Sequence, residues 1–523
     1  MFYYLAIALT GSVVLGIEVL SSRILTPYFG VSLYIWASIL TVTLICLAVG
    51  YFYGGILTRK KDVEGVRSSF NLFVSVASIA VSLAAFLYPH IFPVLMKLPL
   101  VMGSLFASVV LMVVPLVLMS ALNPIVMVLV RQEEKLRGDA GAGLVFFIST
   151  LGSVVGVVIT AFIFIPYLSN TVGLLVFALI TALLSLVAAA TYLRGRQKIR
   201  ALALAGIAAA CSLALLVAEV AFPTIRFVDK QGEVWNLREE RHSIFGSVKV
   251  VDRGEGAGMT RFYLNDGLFQ DVVGQNGQSI VMFTYTLDIL LKQYAPATHN
   301  ILFLGLAAGV VPRNFPPAQY QTEVVEINPD SVEVAKKYFG FDEQGRKVHV
   351  QDARTFVNGC NGRFDAVVFD MFHGDGVPDY LLTREFFQQL KSCVTPGGVI
   401  VMNLMDDRQS PQVRDAILST VNTAFSNLNY FQDTSSNDAI RNAFLVASNG
   451  ELAPTTVQEI VPGYLRKIVR DALESGRRIE KQDYNNAPPL TDDHNIFSVL
   501  SADTNMRFRK MIQTALPPGL YKS

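Results

Sequence analysis

The chain carries little charge for its length. Only 16% of its 523 residues are Asp, Glu, Lys or Arg, whereas 52% are hydrophobic. That composition is too apolar for an ordinary soluble protein of this size. The 43 basic residues balance the 42 acidic ones, and no basic run interleaved with aromatic residues appears in the less apolar half. We therefore expect no nucleic acid among its partners.

Cysteine is also scarce, and its placement argues against a metal site. Cys46 and Cys211 lie in apolar runs, while Cys360 and Cys393 are far apart and lack metal-ligand spacing, so we expect no bound metal. Two nucleotide-binding motifs are missing as well. The loop "GLAAGVVP" is not the G-x-G-x-x-G of NAD-binding proteins, and the absence of Lys-Ser/Thr after its glycines excludes a P-loop.

What the sequence has instead is a series of long apolar runs within residues 1–222. Each approaches the roughly 20 residues that a helix needs to cross about 30 Å of hydrocarbon. The first run lacks a basic start, so a cleaved signal peptide is a poor interpretation of it. We predict a multi-pass integral membrane bundle of about seven helices in the cell membrane, with the lipid bilayer as partner, at 4–22, 33–57, 70–88, 103–122, 143–165, 171–193 and 201–221.

Basic residues cluster after the second, fourth and sixth runs and are sparse in the other loops. The clusters are Arg59, Lys60, Lys61 and Arg67; Arg131, Lys135 and Arg137; and Arg194, Arg196, Lys198 and Arg200. Positive loops stay inside, which places the N-terminus inside and, with seven spans, the remaining domain outside. Glu18 in the first run is either a ligand or proton site, or is paired with Arg23 or a backbone group.

The second half alternates between strand and helix patterns. A hairpin at 246–254 and 259–267 indicates a small β subdomain over 235–275. Within 276–523, helices are predicted at 279–294, 329–340 and 383–394. Continuous apolar strands separated by helices predict a doubly wound, parallel α/β sheet. The strands lie at 300–305, 322–327, 347–353, 364–370 and 399–405.

Carboxylates stand where three of these strands end, which is where such sheets bind ligands. Gly305 and Gly309 frame the loop after the first strand. Glu326, at the end of the second strand, can accept hydrogen bonds from both hydroxyls of a ribose. Asp352 ends the third strand and could read an adenine edge, and Asp370 ends the fourth, facing a reacting group. The pattern favours a nucleoside without a diphosphate; the alternative is that these acids cap helices or turns.

The order of "LNDGLFQ", "ILFLGLAAG", "VVEIN", "QDA", "FDAVVFD" and "TPGGV" resembles spermidine synthases and related polyamine aminopropyltransferases. With the apolar bundle in front, the whole chain resembles the membrane-fused spermidine synthase-like proteins. The resemblance implies a class I methyltransferase-like (Rossmann-like) sheet. It also implies a transferase that moves an aminopropyl group from decarboxylated S-adenosylmethionine to an amine and leaves methylthioadenosine. No permanently bound cofactor is expected.

The resemblance also implies roles for individual residues. Glu326 would hold the ribose, Asp352 with Ala353 the adenine, and Asp370 would act as base and amine ligand. Asp266 and Gln270 lie in the hairpin segment that covers the site in relatives.

Several positions depart from the family pattern. Ala308 stands where relatives carry an acid in the glycine loop, and Gly246 replaces an expected glutamine. His373 occupies the place of a second acid, with Asp375 two positions later, and Tyr285 is the nearest match to a conserved helix segment of the family. In the tail, Asp492 and Asp493 either fold over the site and restore negative charge or form a solvated loop.

These losses weigh against a small diamine such as putrescine, and they leave the acceptor as a small-molecule or lipid-borne amine. Two alternatives remain: methyl transfer from S-adenosylmethionine on the same fold, and a non-catalytic nucleoside-binding sensor or transporter. Because S-adenosyl donors are cytosolic, donor supply favours the cytoplasmic face for the domain. This conflicts with the loop charges unless a segment near residue 123 re-enters or spans, one run does not cross, or the donor reaches the far side. A homodimer is left open.

Overall fold

The computed structural model describes residues 1–133, 140–372, 374, 376–435, 438–458, 460–484 and 487–522. His373 and Asp375 lie outside these residues. The chain divides into two compact units. The first contains Met1–Ile225 with the short segments His242–Gly246 and Pro518–Ser523, and the second contains Arg226–Arg241 with Ser247–Pro517.

The first unit is helical. Its helices are α1 (Phe2–Phe29), α2 (Leu33–Lys60), α3 (Val63–Leu95), α4 (Leu100–Ser120), α5 (Leu122–Glu133), α6 (Ala140–Ile159), α7 (Asn170–Tyr192) and α8 (Gly195–Ala221). A π-helical turn, Thr160–Phe164, prolongs α6. Seven apolar helices in the described residues are long enough to cross a membrane, with α4 and α5 together counting as one. The expected seven long apolar helices are therefore confirmed.

Helix α5 packs at the end of the bundle where the chain begins. Ile125 and Val126 of α5 share one buried cluster with Tyr3 near the start of α1, Leu57 near the end of α2 and Val66 near the start of α3. At the opposite end, Gly103 near the start of α4 lies against Phe29, the last residue of α1. Helices α4 and α5 thus cross the bundle once, in one direction, and the segment near residue 123 does not turn back.

A line of polar side chains runs along α3 inside the bundle. Asn71 Nδ2 donates to the carbonyl of Ser185 at 2.6 Å, and the hydroxyls of Ser75 and Ser185 lie 2.6 Å apart. Further along, the hydroxyl of Ser82 lies 2.9 Å from that of Ser212. We call Asn71, Ser75, Ser78, Ser82, Ser185 and Ser212 the hydroxyl seam. It joins α3 to α7 and α8 through hydrogen bonds in an otherwise apolar interior.

The second unit begins with a five-stranded sheet, in which the first strand pairs antiparallel with the second, and the fourth pairs antiparallel with both the third and the fifth. Its strands, in spatial order, are β1 (Arg226–Val228), β2 (Val234–Ser243), β3 (Gly246–Arg253), β4 (Thr260–Asn265) and β5 (Leu268–Gly274). Asp266 and Gly267 form the turn between β4 and β5 with φ of 43° and 77°, as a tight hairpin turn requires.

An eight-stranded sheet follows. It contains β6 (Asn300–Leu304), β7 (Gln321–Glu326), β8 (Arg346–Val350), β9 (Phe364–Phe369), β10 (Val394–Asp407), β11 (Asn427–Gln432), β12 (Ile440–Ser448) and β13 (Arg477–Arg478), in the spatial order β13-β11-β12-β10-β9-β6-β7-β8. Strands β6 to β10 pair in parallel, whereas β12 is antiparallel to both β10 and β11. The predicted α/β fold is confirmed, but its sheet is mixed rather than wholly parallel.

The helices of this unit cover both faces of the sheet. They are α9 (Met282–Tyr294), α10 (Val310–Arg313), α11 (Pro329–Phe339), α12 (Ala353–Asn358), α13 (Arg384–Cys393), α14 (Pro411–Asn422), α15 (Arg466–Glu474), α16 (Phe497–Leu500) and α17 (Ala502–Gln513). Along β6, Leu302 and Leu304 belong to one buried cluster, while Ile301 and Phe303 belong to another. Because successive strand residues face opposite sides, this alternation shows that both faces are buried.

The strand order creates a switch point in the middle of the sheet. From β6 the chain proceeds to β7 and β8 on one side and then returns to β9 on the other side of β6. The chain leaves β6 towards β7 and leaves β9 towards β10, in opposite directions along the sheet, and such sheets bind ligands in the crevice outside these strand ends.

A disulfide links two buried cysteines of this unit. Cys360, after α12, is joined to Cys393, the last residue of α13, with 4.8 Å between their Cα atoms. The closed loop contains β9 and the segment that follows it. This pairing was not predicted, because the two cysteines are 33 residues apart in the sequence and only their packing brings them together.

Candidate functional site

The crevice begins where β6 and β9 end. The N–H of Asp370 donates to the carbonyl of Leu304 at 3.0 Å, and the N–H of Gly305 donates to Val325 at 2.9 Å. Gly305 has φ of 97°, and a Cβ at this position would overlap the carbonyl oxygen of Asp370. Glycine is required here by both the conformation and the close approach of the two strand ends.

The loop that follows is bent by further left-handed residues. Gly309 has φ of 71°, and a Cβ there would lie 2.9 Å from the side chain of Phe341. Ala307 has φ of 48°, a conformation that disfavours a non-glycine residue by about 1–2 kcal/mol. Ala308 is fully buried in an apolar cluster that includes Val248 and Tyr263. The position at which relatives carry an acid is therefore part of the hydrophobic core.

Glu326 connects the glycine loop to the end of β7. Its Oε2 accepts the N–H of Leu306 at 3.0 Å, and its Oε1 accepts the N–H of Asn328 at 2.8 Å. The residue is partly exposed. Each carboxylate oxygen can accept a second hydrogen bond, so Glu326 can hold the loop and still bind a diol.

Asp352 caps a helix and also orients an aromatic ring. Its Oδ1 accepts the N–H of Thr355 at 2.8 Å, as an N-cap of α12 does. Its Oδ2 accepts the hydroxyl of Tyr380 at 2.6 Å. The capping role left open by the sequence is thus present at Asp352. The neighbouring Ala353 is buried in the core beneath α12.

Asp370 is partly buried beside β10. Its Oδ1 accepts a hydrogen bond of 2.9 Å from Nδ2 of Asn403, which is 6% exposed. Burial raises the pKa of Asp370 to about 6, and the hydrogen bond from Asn403 opposes that rise. A carboxylate with this pKa is mostly ionised at pH 7 and can still accept a proton.

A second carboxyl group, which the sequence analysis missed, belongs to the same region. Asp271 on β5 is 4% exposed, and its side chain accepts the N–H of Val272 at 2.9 Å. Burial raises the pKa of Asp271 to about 8, and the nearby charge of Asp370 adds to the rise. At pH 7 the pair therefore shares one proton, with Asp271 protonated and Asp370 ionised.

The hairpin segment that precedes Asp271 makes both local and long-range hydrogen bonds. Nε2 of Gln270 donates to the carbonyl of Gly374, in the loop after β9. Oδ1 of Asp266 accepts the N–H of Ser247 at 2.8 Å and so holds its own turn. The fully buried Arg509 of α17 donates to the carbonyl of Asp266 at 3.1 Å. This arginine had no counterpart in the sequence analysis.

The remaining predicted residues are Tyr285, Asp492 and Asp493. The hydroxyl of Tyr285 donates to the carbonyl of Ser279 at 2.9 Å. Asp492 pairs with Arg354 of α12, with 2.9 Å between Oδ1 and Nη1, while Asp493 is exposed. Asp492 thus fastens the tail segment to the helix that Asp352 caps.

Together these contacts bring four predicted residues to one edge of the sheet. Gly305, Gly309 and Glu326 meet around the glycine loop, and Asp370 adjoins Gly305. Asn403 donates to Asp370, and the charge of Asp370 in turn raises the pKa of Asp271. The arrangement offers a carboxylate for a diol and a second carboxylate for a cation or a proton.

Comparison with known proteins identifies this region. The model of the spermine/spermidine synthase domain matches residues 299–434. A polyamine aminopropyltransferase of Vibrio vulnificus is 33% identical over 116 residues, which cover 21% of this chain and 39% of that protein. The human eEF1A lysine and N-terminal methyltransferase is 29% identical over 142 residues, covering 24% and 20%.

A crystal structure of a probable spermidine synthase from Corynebacterium glutamicum aligns with 18% identity over 49% of this chain and 96% of that one, with a TM-score of 0.39. The chain spans well under half the length of the two curated relatives described. The match begins one residue before β6 and includes Glu326, Asp352 and Asp370. The C-terminal part of this chain therefore carries a spermine/spermidine synthase domain.

Proposed function

We propose that this protein is a membrane-embedded transferase that moves an aminopropyl group from decarboxylated S-adenosylmethionine to an amine. One observation carries the proposal. Glu326 ends β7, Asp352 follows β8 and Asp370 follows β9, and these parallel strands lie on the two sides of β6, whose glycine loop is at the switch point of the sheet. That placement suits an adenosyl thioether whose reacting carbon faces Asp370.

The donor would lie along the ends of β7 and β8. Glu326 is already held by two backbone N–H groups, so its carboxylate is oriented before a ribose arrives. Asp352 is fixed by the cap of α12 and by Tyr380, with Ala353 behind it, at the adenine end. Fixed acceptors lower the entropy that binding must overcome.

The transfer needs a base and a negative charge near the sulfonium. The lone pair of the amine attacks the carbon bonded to sulfur, and the electrons of the C–S bond pass to sulfur, leaving a neutral thioether. The proton of the resulting ammonium goes to Asp370, whose pKa of about 6 leaves it ionised at pH 7. Asp271 is protonated at that pH, so the carboxyl pair contributes a single negative charge.

Methyl transfer from S-adenosylmethionine is the second candidate, and a specific observation favours it. Ala308 is buried among apolar side chains, so this loop position cannot supply the acid that relatives direct at a free aminopropyl amine. A methyl donor does not require that contact. Relatives of both kinds match the domain, an aminopropyltransferase and a methyltransferase.

The acceptor would be a small-molecule or lipid-borne amine rather than a small diamine, since the glycine loop has the buried Ala308 where relatives carry an acid. The seven apolar helices would hold the chain in the bilayer, where a lipid-borne amine is concentrated. A homodimer is compatible with this proposal but is not required by it.

Product analysis tests the proposal. The full chain, purified in detergent, is incubated with a panel of small and lipid amines and either donor. Methylthioadenosine with an alkylated amine is the expected product of decarboxylated S-adenosylmethionine. S-Adenosylhomocysteine formed from S-adenosylmethionine would establish the methyl transfer instead. Tight binding of both donors without either product would favour the nucleoside sensor, and the Asp370→Asn variant serves as the inactive control.

A further inference from the structure

We infer that the domain carrying the crevice lies on the non-cytoplasmic side of the membrane, in an oxidising compartment. Three independent features support this: the number of crossings, the distribution of basic residues at the two bundle ends, and the Cys360–Cys393 disulfide. The inference does not depend on which reaction the domain performs.

The number of crossings in the described residues is odd. Because α4 and α5 form one continuous crossing, seven helices carry the chain from Met1 to Ala221. At the end opposite Met1, the hydroxyl of Tyr88 near the end of α3 lies 2.8 Å from that of Thr171 near the start of α7. The chain leaves α8 at this same end. The second unit therefore begins on the side opposite the N-terminus.

The basic residues lie at the N-terminal end of the bundle. Arg59 and Lys60 are the last residues of α2 and Lys61 follows them, while Arg194 and Arg196 flank the first residue of α8. At the other end, the α3–α4 connection contains Lys97, and Arg23 donates to the carbonyl of Ile244 within the first unit. Basic loops remain in the cytoplasm. The N-terminal end is thus cytoplasmic and the opposite end is not.

The disulfide supplies the independent chemical evidence. Cys360 and Cys393 are both buried in the core of the α/β domain, where their side chains pack against each other. Disulfides persist in secreted and periplasmic proteins, whereas cytosolic thiols are kept reduced. A structural disulfide in this domain fits the compartment that the crossings and the loop charges indicate.

A domain on the non-cytoplasmic side contradicts the expectation of a cytoplasmic domain, which rested on the cytosolic supply of the donor. An S-adenosyl donor made in the cytosol would have to cross the membrane before the domain could use it. The supply of substrate must then include a transport step, and the product must be consumed or returned on the same side.

Cysteine labelling tests the side of the membrane. Native Cys360 is unsuitable because it is buried and bonded, so exposed positions are needed in a Cys46→Ala, Cys211→Ala chain. Thr456→Cys reports the α/β domain, and Gln197→Cys reports the basic end of the bundle. A membrane-impermeant maleimide is applied to cells with an intact plasma membrane and again after permeabilisation, which shows that each cysteine can react.

We expect Thr456→Cys to be labelled in intact cells and Gln197→Cys only after permeabilisation. The reverse pattern, equal labelling of both, or no labelling of Thr456→Cys before permeabilisation would overturn the inference. A second measurement uses the wild-type chain. After acid quenching of cells, Cys360 and Cys393 should be alkylated only when a reductant is added, and free thiols at both would contradict the oxidising compartment. Neither readout involves turnover, so failure of the proposed transferase activity would be recognised separately.

Discussion

The side-chain amide of Asn403 lies 2.9 Å from Oδ1 of Asp370 and donates a hydrogen bond to it. In the described part of the chain, Oδ1 of Asn403 is buried and has no hydrogen-bond partner. The amide nitrogen of Asn403 thus bonds the carboxylate of Asp370, whereas its amide oxygen is buried without a partner among the described residues. A hydrogen bond to the ionised form lowers a carboxyl pKa, so Asn403 limits the rise that burial imposes on Asp370.

Replacing Asn403 by Leu should raise the pKa of Asp370 above its value of about 6. The rate constant kcat/KM falls as a general base becomes protonated, so the acid limb of the pH–rate profile should move to higher pH. Asn429→Leu is the matched control, because Asn429 on β11 bonds Tyr294 instead. An unchanged acid limb in Asn403→Leu would remove Asp370 as the group that the profile reports.

Asp370→Asn should lower turnover by roughly 10²–10⁴-fold, the usual contribution of a positioned base, while the donor still binds. Asp365→Asn, on the same strand, is the control. Its carboxylate accepts the N–H groups of His299 and Asn300 at the other end of β9. Rates, donor affinity and melting temperature are measured together. Full turnover by Asp370→Asn would exclude this residue from the mechanism.

Glu326→Gln should weaken binding of adenosyl thioethers by about 1–3 kcal/mol, since a hydrogen bond to a charged acceptor is lost. Calorimetry with methylthioadenosine and S-adenosylhomocysteine measures the effect. Glu323→Gln provides the comparison: Glu323 precedes it on β7 but pairs with His349 and Arg363. Equal affinities for wild type and Glu326→Gln would mean that the nucleoside binds elsewhere.

Asp271→Asn should change how stability depends on pH. The pKa of Asp271 is raised from 3.8 to about 8, so the folded state holds a proton that the unfolded state releases between about pH 4 and pH 8. The contribution of Asp271 to the free energy of unfolding is therefore fully present at low pH and is lost as the pH rises through this window. Relative to the variant, the wild type should lose about 1.4 kcal/mol per pH unit in that window.

Melting temperatures of both proteins at pH 5 and pH 8 measure this difference. The melting temperature of Asp271→Asn relative to that of the wild type should be higher at pH 8 than at pH 5. Parallel pH dependence of the two proteins would show that Asp271 is not a buried, protonated acid.

The double variant Cys360→Ala, Cys393→Ala should be less stable than the wild type. Closing a loop of 33 residues lowers the entropy of the unfolded chain and contributes about 3–4 kcal/mol. Thermal unfolding of the full chain, with and without reductant, measures the loss. Reductant should lower the melting temperature of the wild type and leave that of the double variant unchanged. The Cys46→Ala variant, whose cysteine is free, should respond to reductant as the wild type does.

Periodic patterns in the sequence predicted much of the architecture. Long apolar runs predicted the seven helices because bilayer thickness fixes their length. Continuous apolar segments predicted the strands from β6 to β10 because both faces of the sheet are buried. Strand β11 escaped detection, since "NLNYFQ" is an amphipathic strand rather than a continuous apolar one. Strand β12 was missed as well, although it contains the apolar run "AFLVA".

The site was predictable only where a residue's position along a strand determines its position in space. Glu326 and Asp370 end strands, so topology alone brings them to the crevice. Asp271 and Asn403 lie within strands, and their neighbours depend on register and on packing between elements. The cysteine pair likewise depends on how α12 and α13 pack.

The hydroxyl seam has a consequence for biogenesis. Its donors and acceptors come from α3, α7 and α8, and α8 inserts last. Until α8 is in place, Ser82 of α3 lacks its partner, the hydroxyl of Ser212. A helix displaced by one turn would misalign the hydrogen bonds of the hydroxyl seam. Chains interrupted before Gly195 would therefore lack Ser212 and leave the hydroxyl seam incomplete.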